Sequence, residues 1–152
     1  MKLRAYIVED EPPARQRLRT MLAAEPQVEL VGESDGGPSC IAELQEARPN
    51  LVFLDLHLGK RNGFALLDEA KLEPPPAVVV ITAFSEHAVE GFDRGATDYL
   101  LKPYRAPRLR AALARVREQH ETRGAGGPGR GEGGWLVRFV VRNERHLDVV
   151  PV

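Results

Sequence analysis

The chain has 152 residues, a formal net charge of −1 at pH 7 and one cysteine. This length suffices for one domain with a buried core and a short appendage. The near-zero charge gives the whole chain no nucleic-acid signature, and a single cysteine excludes an internal disulfide framework and a cysteine-based zinc site. No apolar run approaches the roughly 20 residues of a membrane span, and a strand begins at once, so we expect a cytoplasmic protein with no membrane partner.

Apolar runs alternate with helical patterns along the first 122 residues. The first helix opens at Pro12 and Pro13, where a missing N–H costs little, and glycines precede the second, on which we expect Cys40 to be half-buried. Five strands alternating with five helices predict an α/β fold, a doubly wound parallel sheet with right-handed crossovers. The predicted strands are 3–8, 28–31, 51–55, 77–81 and 99–101. The predicted helices begin at Pro12 and after Pro38, and then span 64–72, 85–94 and 107–122.

Charged and polar residues stand where these strands end. Glu9 and Asp10 follow the first strand, Asp55 ends the third, and Thr82 and Lys102 follow the two later ones. Because the carboxyl ends of parallel strands meet at one edge of a sheet, we expect these side chains to converge on one site.

Such a set requires a cation. Two like charges about 4 Å apart repel by roughly 4 kcal/mol at an effective dielectric constant of about 20, so Glu9, Asp10 and Asp55 together would be strained. Oxygen ligands select hard ions, Mg²⁺ or Ca²⁺, over zinc. Lys102 and Thr82 are suited to an anion that joins the metal, and a phosphoryl group is the obvious candidate.

These residues belong to motifs that resemble the receiver domain of bacterial two-component response regulators, over about residues 1–122. The motifs occur in the order Ile7-Val8-Glu9-Asp10-Glu11, Phe53-Leu54-Asp55, Gly63, Ile81-Thr82-Ala83 and Asp98-Tyr99-Leu100-Leu101-Lys102-Pro103. The resemblance implies the flavodoxin-like strand order 2-1-3-4-5. Receivers commonly have proline where this chain has Gly59, a departure that we expect to touch no phosphorylation group.

The resemblance also implies a role for each acidic residue and for Mg²⁺. Asp55 is the expected phosphoacceptor, whose carboxylate attacks the phosphorus of a donor. Asp10, Asp55 and the backbone carbonyl of His57 would bind Mg²⁺ directly, and Glu9 would act through a water on the metal.

The remaining implied roles belong to the later motifs. Lys102 would pair with a phosphoryl oxygen, and the following Pro103 is expected to be cis. Thr82 would donate its hydroxyl to the phosphoryl group, after which Tyr99 would swing inward. The resemblance implies a sensor histidine kinase as phosphodonor and a homodimer formed through residues 85–94, 99–101 and 107–122.

Beyond residue 122 the composition changes. Residues 123–134 are rich in glycine and predict a flexible linker, and 135–152 predict two strands about a turn. This hairpin resembles the opening of a LytTR-type DNA-binding domain, so we expect an incomplete output domain and DNA binding only by the full-length protein. A hairpin that docks on the receiver is the alternative.

Other functions of the same fold compete with the signalling switch. A Mg²⁺-dependent aspartyl-phosphate phosphatase would place a second aspartate where His57 stands, and we therefore expect no enzyme with a separate substrate. A flavin carrier would need a phosphate-cradling loop in place of Glu9-Asp10-Glu11. A receiver whose output partner is a protein or an RNA remains open.

Overall fold

The computed structural model describes residues 2–59, 61–83 and 93–124. Of residues 123 and 124 it describes the backbone alone. The chain divides into two compact units, the first ending at Ile81 and the second beginning at Thr82. Most of the predicted helix 85–94 and nearly all of the predicted linker and hairpin lie outside the described residues.

The described strands form a five-stranded parallel sheet in the order β2-β1-β3-β4-β5. This confirms the predicted α/β class and the order 2-1-3-4-5. The strands are β1 (Leu3–Val8), β2 (Val28–Ser34), β3 (Leu51–Asp55), β4 (Ala77–Thr82) and β5 (Asp98–Leu101).

The core lies around β1 and β3. Every residue of β3 is buried, and in β1 Arg4 alone is partly exposed. Continuous burial of this kind is expected of parallel strands with helices on both faces, and it explains why these strands read as uninterrupted apolar runs.

The helices of the described residues follow the predictions closely. Leu18 and Leu22 are buried on the first helix, and Leu109, Leu113 and Val116 are buried on the last. The helices are α1 (Pro12–Ala23), α2 (Cys40–Ala47), α3 (Gly63–Ala70) and α4 (Ala106–Gly124).

Three boundaries differ from the predictions by two residues or more, and one burial also differs. α3 ends at Ala70 instead of Leu72, because Lys71 takes the left-handed conformation (φ 52°) that closes the helix. α4 includes Arg123 and Gly124, which composition assigned to the linker. Cys40 is fully buried, not half-buried.

The third boundary is that of β2, predicted to end at Val31. It continues to Ser34 because its pairing with β1 resumes after an irregularity between Ala5 and Tyr6, and Gly32 then lies opposite Tyr6. A Cβ at Gly32 would come within 2.6 Å of the Tyr6 ring, so a glycine leaves room for that ring.

The segment after β3 is more ordered than a simple loop. Two short strands, His57–Leu58 and Arg61–Asn62, pair antiparallel. Asn62 then caps α3, its side-chain oxygen accepting the N–H of Phe64 at 2.8 Å and that of Ala65 at 3.3 Å. Backbone pairing and the Asn62 cap therefore hold the described residues between Asp55 and α3.

Candidate functional site

Three predicted site residues meet in the first unit. Carboxylate oxygens of Glu9, Asp10 and Asp55 lie within 4.8 Å of one another. The cause is the sheet register: Val8 of β1 is the partner of Leu54 of β3, so the residues that follow leave the sheet side by side. The predicted convergence is confirmed for these three carboxylates, which we call the acidic cluster.

The acidic cluster is largely removed from water. Glu9 is 1% exposed and Asp55 5%, whereas Asp10 is partly exposed. Like charges repel more strongly where water is excluded, so this arrangement favours partners of opposite charge.

Backbone N–H groups, whose hydrogens carry partial positive charge, are some of these partners. The N–H of His57 donates to Oδ1 of Asp55 at 2.9 Å, and the N–H of Glu11 donates to Oε2 of Glu9 at 3.3 Å. The N–H of Gly59 donates to Oδ2 of Asp10 at 3.2 Å. Each carboxylate of the acidic cluster therefore accepts a backbone N–H.

The backbone of Gly59 contacts the acidic cluster. The departure from proline at this position was expected to touch no phosphorylation group, and the N–H of Gly59 reaches Asp10, an expected Mg²⁺ ligand. Gly59 has φ +63°, a left-handed conformation that proline cannot adopt, and proline has no N–H to donate.

Gly63 is the glycine that leaves room for Asp55. A Cβ at Gly63 would lie 2.5 Å from the backbone oxygen of Asp55 and 3.0 Å from Cγ of Leu54. Its own N–H donates to the carbonyl of Leu56 at 3.2 Å. The start of α3 thus packs directly against the end of the strand that carries Asp55.

The acidic cluster fits a hard divalent cation. All its side-chain ligands are carboxylate oxygens, the donors that such ions prefer, and they come from neighbouring strand ends close enough to share one ion. A bound cation would also offset the repulsion between two almost fully buried carboxylates.

Two other predicted site residues occupy strand ends in the second unit. Thr82 is 2% exposed, and Lys102, half-buried, follows β5. The N–H of Lys102 donates to the carbonyl of Thr82 at 2.7 Å, which ties the two positions together. The Lys102–Pro103 peptide is cis, as predicted.

Tyr99 lies beside a charged group that sequence reasoning missed. Asp98 is fully buried and is paired with Arg108 and Arg115 of α4. Burial acts to lower the pKa of the Arg108 guanidinium, but the hydrogen bonds and charge of Asp98 outweigh it and raise that pKa. Burial also raises the pKa of Tyr99.

The available signal for this group was the spacing of the arginines. Arg108 and Arg115 are seven residues apart, which places them on one face of a helix. Arginine-rich helices usually present solvated faces, so this spacing alone does not predict a buried ion pair.

Fold and acidic cluster define a class: a doubly wound α/β domain with an oxygen-donor site at the carboxyl edge of its sheet. Residues 5–114 match the response regulator receiver domain. The chain belongs to this family, the receiver domains of two-component signalling.

Named relatives agree with this assignment. The chain is 36% identical over 121 residues to the sensory transduction protein LytT of Bacillus cereus, a match that covers 79% of this chain and 49% of that one. It is 37% identical over 117 residues to the transcriptional regulatory protein BtsR of Escherichia coli, covering 77% and 49%. The chain thus spans about half the length of these relatives.

Solved structures also resemble this fold. The response regulatory domain of protein mrkE from Klebsiella pneumoniae superposes with a TM-score of 0.70 at 35% identity, covering 79% of this chain and 99% of that one. The REC domain of AraT, a response regulator from Geobacillus stearothermophilus, superposes with a TM-score of 0.71 at 30% identity, covering 82% and 99%. Among the helices that the structure describes, none is long and apolar enough to cross a membrane.

Proposed function

We propose that the chain is a phosphorylation-dependent switch in which Asp55 accepts a phosphoryl group from a sensor histidine kinase with the help of Mg²⁺. The observation that carries this proposal is the acidic cluster, whose three carboxylates lie within 4.8 Å of one another with Asp55 at the end of a fully buried strand. A receiver-family match over residues 5–114 supports the same chemistry.

The transfer is a displacement at phosphorus. A carboxylate oxygen of Asp55 forms the new O–P bond while the P–N bond of the donor phosphohistidine breaks, and the imidazole leaves with its electron pair and takes up a proton. The N–H of His57 donates to Oδ1 of Asp55, which helps to orient the carboxylate for attack.

The metal would be held by Asp10, Asp55 and the backbone carbonyl of His57. Glu9 would act through a water bound to the metal. Bound Mg²⁺ supplies charge neutralisation for the phosphoryl oxygens. Glu9 is almost fully buried and accepts the N–H of Glu11, which keeps its carboxylate in place for a water-mediated contact with the metal.

Lys102 and Thr82 complete the proposed phosphorylation set. Lys102 pairs with a phosphoryl oxygen through its ammonium group, and Thr82 donates its hydroxyl to another. Their hydrogen bond, from the Lys102 N–H to the Thr82 carbonyl, supports a joint response to the added charge of about −1.5 to −2.

The chain acts on itself and has no separate substrate in this proposal. The position two residues after Asp55, where an aspartyl-phosphate phosphatase would have its acid/base group, is His57, and its side chain is exposed. Phosphorylation and its loss therefore serve signalling.

The output of the switch is a LytTR-type DNA-binding domain present in the full-length protein, with transcription as the controlled process. Phosphorylation promotes a homodimer through residues 85–94, 99–101 and 107–122. Equal sedimentation of the chain with and without beryllofluoride would contradict this dimer. A full-length protein that binds RNA or protein, and no DNA, would favour the alternative output.

Intact mass after incubation with acetyl phosphate tests the phosphorylation step. We expect one added phosphoryl group on the native chain with Mg²⁺ and none with EDTA or in Asp55→Asn. Asp68→Asn, at an exposed aspartate of α3, is the matched control and should gain the group normally. Equal phosphorylation of Asp55→Asn would overturn the proposal.

A further inference from the structure

Arg108 makes four contacts with two adjacent residues of β5. Its Nη1 donates to Oδ2 of Asp98 at 3.0 Å, and its Nη2 donates to Oδ1 of Asp98 at 2.8 Å and to the Tyr99 carbonyl at 2.8 Å. Its guanidinium carbon also lies 5.2 Å from the centre of the Tyr99 ring.

The Asp98 carboxylate that accepts these hydrogen bonds is itself held in place. Asp98 is fully buried, and its Oδ1 also accepts the N–H of Tyr99 at 2.8 Å and pairs with Nη1 of Arg115 at 3.0 Å. A bidentate guanidinium–carboxylate pair is directional as well as strong, so its planar fork determines where the Arg108 side chain lies.

The guanidinium therefore covers the Tyr99 ring from a fixed position. Tyr99 is 3% exposed. Attraction between the cation and the ring, together with the hydrogen bond to the Tyr99 carbonyl, favours this buried side chain over an exposed one.

We propose that Arg108 is the positioning residue of the Tyr99 switch: it favours the buried position of the tyrosine that the phosphorylated conformation requires and so lowers the cost of reaching that conformation. This inference rests on the proposed function, the phosphorylation of Asp55, and on the switch role that the family resemblance implies for Tyr99. Arg108 touches no reacting atom in this role and acts through Asp98 and Tyr99.

Loosening the contacts of Arg108 should have a measurable effect on ligand affinity. A ligand that binds one conformation has an apparent affinity proportional to the fraction of the protein already in that conformation. If Arg108 keeps Tyr99 buried, loosening Arg108 lowers that fraction, and beryllofluoride, a phosphoryl mimic, must then restore it at the expense of its own affinity.

The experiment uses the full chain labelled with 3-fluorotyrosine. The chain has three tyrosines, and the fluorine signal of Tyr99 is assigned by its loss in Tyr99→Phe. Solvent exposure of the Tyr99 fluorine is read from the shift between H₂O and D₂O without Mg²⁺ or beryllofluoride. Beryllofluoride affinity is then measured with Mg²⁺. The variants are Arg108→Gln, Arg108→Lys, which keeps one charge for Asp98 and so protects folding, and Arg110→Gln, the exposed control two residues along α4.

We expect a small solvent shift for Tyr99 in the native chain and in Arg110→Gln, and a large one in Arg108→Gln, with Arg108→Lys between them. Beryllofluoride affinity should fall about three- to tenfold in Arg108→Gln and return part of the way in Arg108→Lys. Beryllofluoride should also bring the Tyr99 signal of Arg108→Gln back toward the native position.

Two results would overturn the inference. One is a solvent-exposed Tyr99 in the native chain, or an unchanged Tyr99 signal in both Arg108 variants. The other is native beryllofluoride affinity in an Arg108 variant whose Tyr99 is exposed, which makes Arg108 a structural residue. If the native chain binds no beryllofluoride at all, the proposed function fails and the switch role of Arg108 fails with it, whereas the solvent shift still reports whether Arg108 covers Tyr99.

Discussion

The N–H of Gly59 lies 3.2 Å from Oδ2 of Asp10 and donates to it. A backbone dipole thus meets one carboxylate of the acidic cluster, at a position where φ +63° suits glycine. In the proposed function Asp10 also binds Mg²⁺, so we expect metal binding to change the environment of the Gly59 N–H.

Magnesium titration followed by amide NMR tests this link. We expect the Gly59 amide resonance to move as Mg²⁺ is added, because the electron density of its Asp10 acceptor changes. Gly37 is the matched control, since its N–H donates to Oδ1 of Asp35 at 2.8 Å in a separate turn, and its resonance should stay in place. Asp10→Asn should lower Mg²⁺ affinity by at least about tenfold, a loss of about 1.4 kcal/mol. Equal movement of the Gly37 and Gly59 resonances would contradict the link.

Neutralising one member of the acidic cluster should stabilise the metal-free fold. In EDTA we expect Asp10→Asn to raise the free energy of unfolding, because one repulsive partner of Glu9 and Asp55 is removed. The gain should be only about 1 kcal/mol, because solvent screens the charge of the partly exposed Asp10. Urea unfolding measures this, with Asp68→Asn as control.

Magnesium should remove this difference. At ten times the native dissociation constant, Mg²⁺ adds about 1.4 kcal/mol to the native chain and about 0.4 kcal/mol to an Asp10→Asn variant that binds it tenfold more weakly, so the two free energies of unfolding should become about equal. A metal-free Asp10→Asn less stable than the native chain would show that the carboxylates do not strain the fold.

Gly63→Ala should disturb the end of β3. The new Cβ would lie 2.5 Å from the Asp55 carbonyl oxygen, so backbone must shift. We expect a net loss of about 1–2 kcal/mol in unfolding free energy, since overpacking outweighs the gain in helix propensity, and slower phosphorylation by acetyl phosphate.

Gly37→Ala is the control for that substitution. Its Cβ would approach an exposed side chain, that of Asp35, which can move aside. Native stability and native phosphorylation rate in Gly63→Ala would mean that this close approach places no constraint on Asp55.

Stability should decline in alkaline solution for an identifiable reason. Burial raises the pKa of Cys40 above its ordinary value of 9.0, and burial together with a hydrogen bond to Glu43 raises the pKa of Tyr6 above 10.0. The folded chain keeps protons that the unfolded chain releases, so the stabilisation is complete below pH 9 and is lost as pH rises.

Urea midpoints between pH 8 and 10.5 separate the two groups. Cys40→Ala should flatten the decline that begins near pH 9, and Tyr6→Phe should reduce the part above pH 10, where Tyr99 also contributes. The slopes are compared, since both substitutions also change absolute stability. A native midpoint that stays constant over this range would contradict the account.

Much of the site was predictable because it follows strand ends. Asp55 closes an apolar run, and Glu9 and Asp10 follow another, so a parallel sheet alone brings them together. The extension of β2 to Ser34 was not predictable, because an edge strand is held by backbone pairing that continues after its apolar residues end.

Contacts between side chains and backbone of distant segments were also beyond the sequence. The donation from Gly59 to Asp10 depends on the left-handed turn at Gly59. The pairing of Arg108 with Asp98 depends on how α4 lies against β5. The sequence of a short apolar strand that contains an aspartate does not indicate which residue pairs with that aspartate.

The most direct test of the account is to locate the phosphoryl group. After treatment with acetyl phosphate and Mg²⁺, borohydride reduces an aspartyl phosphate to homoserine, and peptide mass spectrometry identifies the position. The account predicts homoserine at Asp55 and nowhere else, with no product when EDTA replaces Mg²⁺. Homoserine at Asp10 or at any other residue, or at Asp55 without metal, would contradict it.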